Sequence, residues 1–301
     1  MLLPLLIIGL VFLPSEPVQA ARGGRVGGGS FRSTTPSIPR SRGYGGGTYR
    51  GGYGGYRGGG IGFPFLLPFF GFGGGGLFGF LILMTIAGVI VNSIRGSASS
   101  IGGSNLLNQT QTTQSPVTIA QLQLGLLASA KSIQEELRGI AKNADTSTPK
   151  GLQIVLQETS LSLLRQQDLC VYANSESGSI PFNSAENTFN KLSMAERSKL
   201  TSEITSNFGG KLKENKIITS QSGEADLANE YIAITIIIAT TAKLLINDSK
   251  TSEELVETLR ILGSIASSEL IALEVIWQPE GKGDVLTAEE LVTSYPNLNH
   301  L

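Results

Sequence analysis

The sequence has one cysteine and one histidine in 301 residues. A single cysteine excludes an internal disulfide framework, and one cysteine with one histidine excludes a zinc cluster built on these ligands. Acidic residues are missing from a long stretch. Ala21 to Ala130 carries eight arginines and no Asp or Glu, whereas Lys131 to Leu301 carries 15 basic and 23 acidic residues. The net charge of -1 is therefore a cancellation between two different halves. No glycine-rich phosphate loop follows an apolar strand pattern, which leaves a nucleotide fold without its fingerprint.

What is present begins with MLLPLLIIGLVFL, Met1 to Leu13. This run is too short for a comfortable span but suits the core of a secretory signal. Val18 and Ala20 supply the small-x-small pattern that places cleavage after Ala20. No Lys or Arg precedes the apolar run, so an uncleaved anchor is the alternative for residues 1–20.

Residues 21–60 are low in complexity and hold few aliphatic side chains, which predicts a disordered tether. Arg22, Arg25, Arg32, Arg40, Arg42, Arg50 and Arg57 are interleaved with Tyr44, Tyr49, Tyr53 and Tyr56. Such tracts can stack on bases and neutralise phosphates. A secreted chain meets little RNA, so contact with anionic lipid or an acidic partner is preferred over nucleic acid.

Gly58 to Ile94 is 37 residues without a charge. Residues 61–95 divide into a Pro/Phe-rich interfacial stretch (Ile61 to Phe72), the Gly73–Gly76 run, and a candidate transmembrane helix over Leu77 to Ile94. Eighteen residues reach about 27 Å, enough for a thin hydrocarbon layer. Leu77, Phe80, Leu81, Leu83, Ile86, Val89, Ile90 and Val91 are the expected spanning residues. Orientation signals conflict. The arginines before the span favour retention on the inside, whereas a cleaved leader carries them across. Single-pass and N-terminal hairpin topologies both stay open.

Residues 96–116 form an uncharged spacer rich in Gly, Ser, Thr, Asn and Gln. Residues 117–301 are long enough for one core. Alternation of Leu122, Leu124 and Leu126 with Gln121, Gln123 and Gly125 predicts a half-buried strand. Leu169–Ala173, Tyr231–Ala239 and Leu270–Trp277 are further strand candidates. Helix starts are predicted from Ser132 with Glu135, Thr148–Pro149, Asn183 with Glu186, Ser193 with Glu196, Thr251 with Glu254 and Thr287 with Glu290. Phe208 to Glu230 reads as a loop. The order of elements predicts an α/β or α+β domain with a sheet of about four strands.

Candidate chemistry is sparse. Cys170 within an apolar strand reads as a buried structural thiol, and His300, next to the last residue, is a poor base for a nucleophile. Paired glutamates such as Glu135–Glu136, Glu253–Glu254 and Glu289–Glu290 fit helix starts better than acid–base pairs. Asp226, Glu230, Glu280 and Asp284 are weak metal-ligand candidates. The residues imply no catalytic set and no cofactor.

Several stretches carry a family resemblance. They are GGSFR (Gly28–Arg32), GFPFLLPFFGFGGGGLFGFLILM (Gly62–Met84), LQLGLLASAKSIQEEL (Leu122–Leu137), F-x-x-L-S-x-A-E-R (Phe189–Arg197), SSELIALEVIWQPE (Ser267–Glu280) and LTAEELVTSYPNL (Leu286–Leu298). In these the chain resembles a family of cyanobacterial and chloroplast membrane proteins catalogued as a domain of unknown function, with a fluctuating-light acclimation protein as its plant member. The resemblance implies a thylakoid, plasma or plastid membrane protein that adjusts photosynthesis when light changes. It implies membrane lipid and a protein of the photosynthetic membrane as partners, and it supplies no catalytic residues. The lead expectation is a membrane-tethered, non-enzymatic regulator. A membrane-anchored metal-dependent hydrolase of phosphatase type and an envelope structural protein are the alternatives.

Overall fold

The computed structural model describes residues 21–31, 115–215, 230–246, 248–281 and 284–301. The leader, the remaining tether arginines, the expected span at Leu77–Ile94, the spacer up to Gln114 and Asp226 lie outside the described residues.

Among the described residues nine strands form one mixed sheet: β1 Gly23–Gly29, β2 Val117–Leu127, β3 Cys170–Ile180, β4 Glu203–Phe208, β5 Lys211–Glu214, β6 Glu230–Thr240, β7 Leu270–Gln278, β8 Leu286–Thr287 and β9 Asn299–His300. Their order is β5-β4-β1-β7-β6-β2-β3-β9, with β8 paired to β6. Only the β1–β4 pair is parallel among the described pairings. The described residues also form five α-helices: α1 Ser132–Asn143, α2 Pro149–Arg165, α3 Phe182–Arg197, α4 Ser252–Gly263 and α5 Ala288–Ser294. The fold is α+β.

The four strands expected from apolar patterning are strands, and they form the contiguous antiparallel run β7-β6-β2-β3. The count of about four is corrected to nine. The additional strands are short, polar or glycine-rich, and their pairing is set by neighbours rather than by side-chain alternation. Part of the expected loop after Phe208 is β5. Gly209 and Gly210 link it to β4 with φ of 58° and 78°, the left-handed conformations a two-residue hairpin loop requires.

The other clear departure is β1. Residues 21–60 read as a disordered tether, yet Gly23–Gly29 lies inside the sheet between β4 and β7. Glycine is what lets it fit: a Cβ on Gly24 would collide with the Trp277 ring. Trp277 is fully buried on the adjacent strand. Arg25 supplies the polar anchor described below.

Helices α1, α2 and α4 cover one face of the sheet. Ile133, Leu137, Leu152, Val155, Leu156, Leu255 and Leu259 pack there on Leu122, Leu124, Leu126, Ile234, Ile236, Val275 and Trp277. The continuous apolar run of β6 is buried on both faces. Thr148, Thr251 and Thr287 cap α2, α4 and α5 through their side chains. Ser132 and Asn183 do not act as caps. Lys131 and Pro181 occupy those positions without a side-chain hydrogen bond, and Ser193 lies inside the single helix α3.

Candidate functional site

The second face of the sheet carries α3 and the short α5. Two apolar clusters sit on it. One joins Ile119, Ile237 and Ala272 to Phe189 and Leu192 of α3. The other joins Tyr231, Ala233 and Leu286 to Leu291 and Tyr295. Polar side chains run between them.

The stripe follows the sheet register. Asn174 of β3 pairs with Gln123 of β2, Gln123 with Thr235 of β6, and Thr235 with Ile276 of β7. Ile276 pairs in turn with Arg25 of β1, and Arg25 with Ser206 of β4. One row thus crosses six strands and is polar at every position but Ile276. β2 is buried on both faces rather than half-buried: Gln121 and Gln123 lie beneath α3 and bond to its Glu196.

Glu196, in the last turn of α3, is the acceptor at the centre of this row. Its carboxylate accepts from Gln121 Nε2 at 2.8 Å, Gln123 Nε2 at 2.7 Å and Thr235 Oγ1 at 3.1 Å. Lys199 Nζ donates to both of its oxygens, at 2.9 and 3.0 Å. The same ammonium lies 3.9 Å from the centroid of the Tyr295 ring. Gln278 Nε2 donates to the Tyr295 hydroxyl at 2.8 Å. Burial pushes the Lys199 pKa down against the pull of Glu196. Burial also pushes the Tyr295 phenol far up, with the Glu196 charge acting in the same direction.

A second cluster ends the row. Arg25 Nε donates to Glu203 Oε2 and Ser206 Oγ, each at 2.9 Å, and its Nη1 donates to Glu274 Oε1 at 3.0 Å. Glu274 is fully buried, and its Oε2 has no hydrogen-bond partner among the described residues. Arg197 Nε donates to Glu203 Oε1 at 2.7 Å. Burial raises the Glu203 pKa, but the Arg197 hydrogen bond and the charges of Arg25 and Arg197 outweigh it and hold the carboxyl below its usual range. Three cations therefore face three carboxylates along the stripe. Burying such groups is tolerable only when each is paired and hydrogen-bonded.

Arg22 and Arg25, expected as part of an electrostatic tether, are thus held in the domain; Arg22 pairs with Asp284 at 3.2 Å. Three of the four weak metal-ligand candidates, Glu230, Glu280 and Asp284, are among the described residues. Glu280 is fully buried, accepting from Arg138 Nε at 3.1 Å and from the Thr205 amide at 2.8 Å. Glu230 opens β6, opposite Thr287. Among the described residues no three His, Cys, Asp or Glu side chains are grouped to hold a metal. Cys170 is buried, and burial pushes its thiol up to about 12. His300 sits in β9, edge-on to Tyr172 at 5.3 Å. A cleft of about 320 Å³ opens beside Phe31, Phe189 and Phe208, with Glu186 and Asn190 on its wall.

Glu196, Lys199, Thr235 and Tyr295 were not singled out from sequence as site residues. Thr235 is the one polar residue in an otherwise apolar run, and Gln121 and Gln123 share a strand face with it. That pattern was the available signal. Chemically, the stripe holds charge in place: Glu196 accepts from Lys199, Gln121, Gln123 and the Thr235 hydroxyl, Glu203 from Arg25 and Arg197, and Glu274 from Arg25 through one oxygen.

Residues 116–301 match a family described as "Protein of unknown function (DUF1517)". The chain is 44% identical over 302 residues to "Protein FLAP1 homolog A" of Synechocystis sp. (strain ATCC 27184 / PCC 6803 / Kazusa), covering 96% of this chain and 89% of that protein. It is 34% identical over 315 residues to "FLUCTUATING-LIGHT-ACCLIMATION protein 1, chloroplastic" of Arabidopsis thaliana, covering 97% of this chain and 76% of that protein. No solved structure matches it. Among the described residues no helix is long and apolar enough to cross a membrane. With a domain match over most of its length and two relatives aligned along nearly all of it, the chain belongs to the DUF1517 family.

Proposed function

We propose that this protein is a membrane-tethered, non-enzymatic regulator of acclimation to fluctuating light, working through protein–protein contacts of its folded domain. The observation that carries the reading is the near full-length similarity to the two relatives, one of them named for acclimation to fluctuating light. Their sources, a cyanobacterium and a chloroplast, support a cyanobacterial or plastid location.

Two features support the mechanism. The uncharged Gly58–Ile94 run offers a membrane anchor. In the domain, the buried carboxylates are committed to internal ion pairs: Glu196 to Lys199, Glu274 to Arg25 and Glu280 to Arg138. A metal-dependent hydrolase needs such groups turned together into an open pocket.

The test is complementation of a deletion strain under alternating low and high light. Full-length protein should restore the wild-type response of photosynthetic energy dissipation, and a version lacking residues 62–94 should not. An unchanged light response in the deletion strain would sink the regulatory reading. Rescue by the version lacking residues 62–94 would sink the tethering.

A further inference from the structure

The position of β1 in the sheet fixes where the intervening chain leaves the domain and where it returns. Gly29 at the end of β1 pairs with Ala272, Ala272 with Ala239, and Ala239 with Ile119 near the start of β2. These four residues lie in one row. Exit and return are therefore separated by three strand spacings, about 14 Å, at the same end of the sheet. The exit is tied down beyond the strand. The Ser30 amide donates to the Ile271 carbonyl at 3.1 Å, and the Phe31 ring lies 5.8 Å from that of Phe189.

The chain between these two points includes the 37 uncharged residues Gly58–Ile94. A single crossing would put Phe31 and Ser115 on opposite sides of a hydrocarbon layer about 30 Å thick. The sheet holds them on one side, because β1 is flanked by β4 and β7 of the same domain. Resting on the membrane-tethered reading, we infer that residues 58–94 enter and leave the bilayer from the same side, so that this end of the sheet faces the lipid surface.

The membrane-facing end of the domain includes Phe31, Phe182 and the Gly209–Gly210 turn: Ile180 pairs with Val117, and Phe208 with Gly27. Gly23 is at the other end of β1, about 20 Å away. This arrangement excludes both a single pass and a hairpin that puts the arginine-rich stretch across the membrane from the folded domain. It also places the arginines and the acidic domain on one side of the membrane.

The experiment uses the full-length chain in sealed membrane vesicles. Three variants each add one thiol: Ser33→Cys after β1, Ser99→Cys after the apolar run, and Ser198→Cys on the domain surface. Native Cys170 is buried and serves as the unlabelled background. With a membrane-impermeant maleimide, all three thiols should label in vesicles of one orientation and all three should be protected in inverted vesicles. Ser33→Cys or Ser99→Cys labelling from the side opposite to Ser198→Cys would overturn the inference. Alkaline carbonate extraction, run in parallel, tests the tether itself. Release of the intact protein into the wash would overturn the membrane reading on which the topology rests.

Discussion

Arg25 and Glu274 form an ion pair across the β1–β7 boundary, with Nη1 3.0 Å from Oε1. Glu274 is fully buried, while Arg25 stays slightly exposed and spreads its charge over Glu203 as well. The pair joins the glycine-rich N-terminal stretch to the centre of the sheet, 249 positions along the chain.

Removing one partner of a buried pair leaves an uncompensated charge. Arg25→Ala should therefore destabilise the protein by about 3–5 kcal/mol, read from urea denaturation with an unchanged slope. A loss below about 0.5 kcal/mol, the range of ordinary surface substitutions, would show that β1 is not anchored through this side chain.

The same relationship predicts the behaviour of a truncated chain. Residues 116–301, the family-matched portion, lack β1 and leave the facing edges of β4 and β7 unpaired. Two open strand edges over an apolar core favour aggregation. This fragment should aggregate or melt well below the full-length protein. A peptide spanning Ala21–Phe31 should restore it in trans, as an added strand in an open slot. A fragment whose melting matches the full-length chain and ignores the peptide would contradict the placement of β1.

Much of the sheet was legible because burial leaves a pattern. The run YIAITIIIA and the stretch LIALEVIW read as strands with apolar side chains for both faces, and Thr251–Glu254 and Thr287–Glu290 formed the capping boxes that their spacing promised. β1 was not legible, since a strand of five glycines, an arginine and a valine has no alternation to read. It is selected by a long-range fit against Trp277 and by ion pairs to Glu203 and Glu274. Glu196 was hidden for a related reason. Its spacing from Ser193 mimics a helix start, whereas its role comes from Gln121, Gln123 and Thr235, contributed by two strands distant in sequence.

Acid should weaken the Arg25–Glu203–Arg197 cluster in a defined direction. The Glu203 carboxyl is held below its usual 4.5 in the folded state, so the folded protein binds fewer protons there than the unfolded chain. Its contribution is fully present above about pH 4.5 and is lost as pH falls through the lowered value. Glu203→Gln should therefore flatten the fall in stability between about pH 5 and pH 3 relative to wild type, measured by urea unfolding at each pH. A parallel curve, merely offset, would mean that Glu203 does not contribute to acid sensitivity.

Cys170 offers a probe of the opposite face. Its thiol packs in the core beneath α1 and α2, its Sγ lies 3.7 Å from the Gln166 carbonyl oxygen, and burial pushes its pKa up to about 12. The thiolate is the reactive form, and at pH 8 almost none of it is present in the folded state. An aromatic disulfide reagent should leave the native protein unlabelled and titrate one thiol in denaturant. Addition of denaturant below the unfolding midpoint should raise the labelling rate in step with the unfolded fraction, because opening of the sheet's core is what exposes the sulfur. Rapid stoichiometric labelling of the native protein at pH 8 would contradict this burial and reopen the possibility of a nucleophilic cysteine.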